Sequence, residues 1–175
     1  MANIGFIGLG IMGKPMAGHL MKGGHRLVLH SRSGVPKDLL ALGGEDFSSP
    51  RLVAQHADVI ITMLPDTPDV EKVLFAENGI VEGLQSQASS AKIIIDMSSI
   101  SPLKTRQFAE RIVQLGCDYV DAPVSGGDVG AQNATLTIMV GASTAIFEKI
   151  KPILGLMGKT VTHVGENGTG QICKV

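Results

Sequence analysis

The sequence predicts an α/β fold, a doubly wound and mostly parallel sheet. Two observations carry that prediction. Short apolar, β-branched runs alternate with longer helical stretches across short connections. Two of the runs, Val59-Ile60-Ile61 and Ile93-Ile94-Ile95, do not alternate with polar residues, as strands covered on both faces do not. With 175 residues, 44% hydrophobic and 18% charged, the chain has the size and apolar content of one core-forming domain and is too apolar for a disordered tail.

The elements follow in order. Asn3–Ile7 reads as a first strand that runs into glycines at 8, 10 and 13. Residues 11–22 read as a helix with Met12, Met16 and Leu20 on one face, stopped by Gly23-Gly24. A strand over 27–30 and a short helix over 37–42 come next. Ser49-Pro50, Thr67-Pro68 and Ser101-Pro102 each place a hydroxyl at an N-cap and proline just behind it, so three helices are expected there. Strands over 58–63 and 92–97 lie between them. The last of these helices, over 102–115, has Phe108, Ile112 and Leu115 on its apolar face and ends at Gly116. Strands over 119–124, 136–140 and 159–163 and a helix over 143–154 complete the pattern. The glycines at 165, 168 and 170 then open another helix.

Gly8-Leu9-Gly10-Ile11-Met12-Gly13 matches G-x-G-x-x-G between a predicted strand and helix, which is the context that makes this motif a dinucleotide fingerprint. The first glycine permits the tight turn, the second lets backbone approach a pyrophosphate, and the third lets helix and strand pack closely. The helix start offers N–H groups and a positive dipole end to phosphate. A Rossmann-type fold is therefore expected over residues 1–165, with 166–175 starting a helix beyond it.

The end of the second strand selects the cofactor. Dinucleotide enzymes specific for NAD carry an acid there for the ribose hydroxyls. Here His30-Ser31-Arg32-Ser33 has none. Arg32 suits a 2′-phosphate, and Ser31 and Ser33 can donate to it, so NADP is favoured. The alternative is a solvated Arg32 and use of NAD.

Beyond these residues the chain resembles the β-hydroxyacid dehydrogenase family. Gly5-Phe6-Ile7-Gly8-Leu9-Gly10-Ile11-Met12-Gly13-Lys14-Pro15-Met16-Ala17 is similar to its opening signature. Asp121-Ala122-Pro123-Val124-Ser125-Gly126-Gly127 is similar to its substrate motif, and Gly168-Thr169-Gly170-Gln171-Ile172-Cys173-Lys174 to its catalytic motif. Ile61-Thr62-Met63-Leu64-Pro65 and Asp96-Met97-Ser98-Ser99-Ile100 are most similar to those of the members that reduce tartronate semialdehyde. Ala134 departs from the glycine usual in the family before Thr-Leu.

The resemblance implies hydride transfer between a nicotinamide and a small aldehyde or hydroxy acid. It implies Lys174 as the proton-handling catalytic residue, with Ser125, Gly126 and Gly127 binding a substrate carboxylate. Met63, Leu64, Pro65 and Ser99 are implied as further cofactor contacts, with Ser98 the less secure of the two serines. A free lysine titrates at about 10.4, so at neutral pH it is already the acid that reduction needs. Family members continue into an all-helical second domain, so this chain is expected to be the cofactor-binding part. Homo-oligomer contacts and the substrate lid are expected on that further domain. The alternatives are an NAD-linked 3-hydroxyisobutyrate-type dehydrogenase and a non-catalytic dinucleotide-binding relative, against which the presence of Lys174 counts.

Composition removes other classes. A net charge of −1 lacks the basic excess of a nucleic-acid binder, and 3% aromatics leaves no base-stacking platform. Cys117 and Cys173 form no metal-ligand spacing, and neither do the five histidines, so no metal is expected. Cys173 is expected to be a small buried packing residue. No leader-like start and no apolar run of membrane-spanning length is present, so a cytoplasmic location without membrane association is expected.

Overall fold

The computed structural model describes residues 1–86 and 91–175. Six parallel strands form its backbone: β1 (Asn3–Ile7), β2 (Arg26–His30), β3 (Glu45–Asp46), β4 (Val59–Thr62), β5 (Ile93–Asp96) and β6 (Asp118–Asp121). They lie in the order β3-β2-β1-β4-β5-β6, the doubly wound order of a Rossmann fold. The sheet continues through β8 (Leu136–Gly141), antiparallel to β6 and to β7 (Val124–Ser125), and through β9 (Gly158–Gly165), parallel to β8.

Every residue of β4 and β5 is buried, and alternate residues feed opposite cores. Ile61 and Ile95 join Phe6, Met16 and Leu20 on one face, while Ile60 and Ile94 join Val53, Leu74 and Phe108 on the other. That is why these runs show no polar alternation. Helices α1 (Gly13–Lys22), α2 (Lys37–Ala41), α3 (Pro50–His56), α4 (Thr67–Phe75), α5 (Ile80–Gln85) and α6 (Pro102–Val113) follow the parallel strands. The later helices are α7 (Gly127–Gln132), α8 (Thr144–Leu154) and α9 (Thr169–Lys174). Among the described residues no helix is long and apolar enough to cross a membrane, and no group of three His, Cys, Asp or Glu is placed to hold a metal.

Several local expectations change. Ser49 and Ser101 cap α3 and α6 through their hydroxyls, but α4 is capped by Asp66, whose carboxylate accepts from Thr67 N at 2.6 Å. The Thr67 hydroxyl instead accepts from Ser101 N, joining the starts of two helices. The expected strand over 119–124 breaks after Asp121, because Pro123 has no N–H for the ladder; its carbonyl still accepts from Met139 N. Leu115 lies beyond α6 and is exposed.

The short helix α7 ends in a Schellman turn, with Thr135 N on Gly130 O at 2.9 Å and Ala134 N on Ala131 O at 3.5 Å. Ala134 is the C′ residue there, at φ 55°, a conformation glycine adopts at less cost. The departure from the family's glycine is therefore absorbed as local strain, with the turn intact.

Candidate functional site

At the carboxyl ends of β1 and β4 the chain turns to opposite sides of the sheet, and a cleft of about 930 Å³ opens there. Such a switch point is where open α/β sheets bind ligands. Residues 8–13, 31–33 and 63–65, together with Ser99, all line this one cleft. Four separate stretches of sequence thus meet because each follows the carboxyl end of a parallel strand.

The three fingerprint glycines stand in three different environments. Gly8 sits at φ 98°, and a Cβ there would run into the Met63 carbonyl. A Cβ on Gly13 would strike the Gly8 carbonyl and lie 3.1 Å from the Phe6 ring, so this glycine sets the close packing of α1 on β1. Gly10 is unlike both: a Cβ there would meet nothing within 4 Å. No neighbour in the protein demands glycine at 10, and a side chain would project into open space at the cleft loop. The start of α1 has no side-chain cap and no acid in its first turn, which leaves its positive end uncompensated beside the cleft. These features fit a pyrophosphate.

At the β2 end, Ser31 and Ser33 hydroxyls lie 3.4 Å apart, and Arg32 is exposed without an ion-pair partner among the described residues. The His30 ring is held by the Phe47 carbonyl at 2.8 Å. Asp69, Lys72, Val73 and Ala76 of α4 and its end, with Glu77, Asn78 and Gly79, also line the cleft, though no site motif in the sequence points to them. Glu77-Asn78-Gly79 carries a turn signal, and Asn78 takes a positive φ of 59°. That signal marks the turn, but only the fold brings it into the same cleft as Arg32's loop.

Under the cleft floor lies a buried polar column. Asp96, at the end of β5, accepts from the Thr62 hydroxyl at 2.9 Å, from Ser98 N at 3.1 Å and from the Tyr119 hydroxyl at 3.2 Å. Burial pushes its carboxyl up to about 6 despite these bonds. The Tyr119 phenol is raised well above its ordinary value, by burial first and then by the Asp96 charge. The adjacent serines divide their roles. Ser98 is buried and its hydroxyl accepts from Leu64 N at 2.9 Å, while Ser99 is exposed in the cleft.

Ser125, Gly126, Gly127 and Lys174 do not line the cleft itself. Ser125 lies on β7 and Gly126 and Gly127 at the start of α7, just past β6, whereas Lys174 ends α9. Gly126 and Gly127 take φ values of 133° and 62° and turn exposed backbone at the start of α7. The helix α9 is held by Asp121, whose carboxylate accepts from Gly168 N at 2.8 Å and Gln171 N at 3.1 Å. Burial raises the Asp121 carboxyl, and those two N–H groups oppose the shift. Gly170 is so close to the sheet that a Cβ would lie 2.5 Å from the Met139 carbonyl. With Gly170 and Gln171 turned inward, the next residues turn out. Cys173 is therefore exposed, contrary to the packing role expected of it, and Lys174 is half-buried.

Comparison with known proteins agrees with this geometry. Residues 3–165 match the family model described as the NAD binding domain of 6-phosphogluconate dehydrogenase. The chain is 51% identical over 172 residues to the 2-hydroxy-3-oxopropionate reductase of Escherichia coli (strain K12), covering 98% of this chain and 58% of that protein. The solved Mycobacterium tuberculosis 3-hydroxyisobutyrate dehydrogenase with L-serine superposes with a TM-score of 0.89 at 34% identity, over 99% of this chain and 58% of that one. Psf3 in complex with NADP+ and 2-OPP gives a TM-score of 0.89 at 28% identity, over 98% and 60%. The chain thus spans a little under three fifths of the length of these relatives. On the fingerprint cleft, the sheet order and these matches together, the chain belongs to the NAD(P)-dependent β-hydroxyacid dehydrogenase family, as a dinucleotide-binding domain of the 3-hydroxyisobutyrate dehydrogenase-like type.

Proposed function

We propose that the chain is the cofactor-binding part of a cytoplasmic, NADP(H)-preferring reductase. Its substrate is a small aldehyde or 2-oxo acid of the tartronate semialdehyde or glyoxylate kind, and its product a hydroxy acid. The observation that carries this reading is the single cleft where residues 8–13, 31–33, 63–65 and Ser99 converge. The 51% identity to a 2-hydroxy-3-oxopropionate reductase supports the substrate class, and the Psf3 complex with NADP+ supports the cofactor.

A reduced nicotinamide dinucleotide bound there supplies the hydride. The chain's own groups do the rest. Backbone N–H groups of residues 8–13 and the start of α1 hold pyrophosphate. Arg32 pairs with the 2′-phosphate, assisted by Ser31 and Ser33. Met63, Leu64, Pro65 and Ser99 border the nicotinamide end. Ser125, Gly126 and Gly127 offer convergent donors to the substrate carboxylate. Lys174 donates a proton to the carbonyl oxygen as negative charge grows on it. Residues 166–175 lead toward a second domain that closes over substrate and mediates self-association.

A second reading, an NAD-linked 3-hydroxyisobutyrate-type dehydrogenase, is favoured by the likeness to the Mycobacterium tuberculosis enzyme. One assay separates them. The complete enzyme is supplied with NADPH or NADH and a panel of tartronate semialdehyde, glyoxylate and succinic semialdehyde, and with 3-hydroxyisobutyrate plus oxidised cofactor. NADPH-driven reduction of a short aldehyde acid, abolished by Lys174→Ala with cofactor affinity retained, is the expected result. Full turnover by Lys174→Ala, or turnover of 3-hydroxyisobutyrate alone, overturns it.

A further inference from the structure

Gln171 is 1% exposed, and both ends of its side-chain amide are engaged. Nε2 donates to the Ser98 carbonyl at 2.7 Å, and Oε1 accepts from Ile100 N at 3.1 Å. These two partners flank Ser99, the residue of that loop that faces the cleft. Ser98 in turn fixes Leu64 N through its hydroxyl, so the same link reaches the 63–65 wall. On its other side Gln171 N is anchored by Asp121. Lys174 follows three residues later on α9, close to the same helical face.

We propose that Gln171 is a positioning residue that couples the loop carrying Ser99 to the helix carrying Lys174, so that dinucleotide engagement at the cleft sets the placement of the lysine amine. The inference rests on the cofactor reading given above. Its physical basis is the bidentate clamp: two backbone groups either side of one cleft residue are held by one buried amide, in a setting where losing either bond leaves a desolvated partner. If the loop moves when a nicotinamide settles against Ser99, α9 must move with it. A displacement near 1 Å at the reacting groups costs on the order of 100-fold in rate, so such a link has catalytic consequence without touching substrate.

The test compares wild type with Gln171→Met, which keeps length and volume but loses both bonds, and Gln171→Glu. Amide hydrogen exchange over 169–174 is measured with and without saturating NADPH, and turnover and NADPH affinity are measured in the complete enzyme. NADPH is expected to slow exchange in α9 of the wild type. In Gln171→Met, NADPH still binds within about threefold but the slowing disappears, and kcat falls roughly 100-fold. A protonated glutamate can donate to the Ser98 carbonyl and accept from Ile100 N, whereas an ionised one cannot donate. The Gln171→Glu to wild-type activity ratio should therefore rise at least about tenfold on acidification, with burial keeping that carboxyl protonated to higher pH. Equal protection of α9 in Gln171→Met, wild-type kcat in that variant, or a flat pH ratio for Gln171→Glu overturns the coupling. NADPH binding with α9 protection but no reduction of any aldehyde acid would remove the substrate reading and leave the coupling standing. No dinucleotide binding by the wild type would remove both.

Discussion

Replacing Asp96 by Asn should erase a pH dependence built into the buried polar cluster at the end of β5. Asp96 is fully buried and titrates at about 6, against an ordinary value of 3.8. The native protein therefore holds that proton more tightly than the unfolded chain does. Stability is highest below pH 4 on account of this group, falls as pH rises through the window from about 4 to 6, and stays lower above it. The size of the gap corresponds to roughly 3 kcal/mol for this one carboxyl. In Asp96→Asn the oxygen facing Thr62 and Ser98 N is retained, and the amide nitrogen can donate to the Tyr119 hydroxyl. That exchange of donor and acceptor at Tyr119 costs about 1 kcal/mol, so the variant stays folded at neutral pH. The assay is guanidinium unfolding of both proteins between pH 4.5 and 7.5, followed by far-ultraviolet circular dichroism because the chain has no Trp and one Tyr. Wild-type stability relative to the variant should drop by roughly 2 kcal/mol across that range, the remainder of the gap lying below about pH 4.5. Parallel curves, with a difference constant in pH, would refute the reasoning.

Two further outcomes follow from named contacts. On the proposed reading, Arg32→Ala should weaken NADPH binding about 5- to 20-fold and change NADH binding less than about twofold, since a phosphate paired with an exposed guanidinium is partly screened. Equal losses for both cofactors in calorimetric titrations would show that Arg32 does not read the phosphate. Ala134→Gly should stabilise the chain by about 0.5–1 kcal/mol by relieving the positive φ at the end of α7, a gain of about 1–4 °C in Tm. A fall in Tm would mean the left-handed turn carries no strain.

The parallel sheet was readable because its signals are local and redundant. Val59-Ile60-Ile61 and Ile93-Ile94-Ile95 announce two-sided burial, and serine followed by proline announces α3 and α6. The loops that follow each strand could be named from motif and position, and the sheet order then brings them to one cleft. What remained hidden depends on contacts distant in sequence. The short helices α5 and α7 bury only one or two turns, too few for a period to show. Asp66 caps α4 while the Thr67 hydroxyl accepts from Ser101 N, a partner 34 residues away. The outward face of Cys173 follows from Asp121 and Met139 fixing α9 from about 50 and 30 residues away. Gln171 carried no signal at all, since its partners at Ser98 and Ile100 lie 73 and 71 residues away.

Gly10→Val offers the sharpest test of the cleft as a dinucleotide site. Gly10 has no positive φ, and a Cβ there meets nothing beyond its chain neighbours within 4 Å, so the substitution is expected to leave the fold intact while placing a branched side chain where, on the proposed reading, a pyrophosphate approaches the backbone. Titrating NADPH fluorescence against wild type and variant should show saturable binding to the first and at least about a 30-fold loss in the second, with Tm unchanged within about 2 °C. NADPH bound equally tightly by both proteins would mean that the glycine loop does not cradle phosphate.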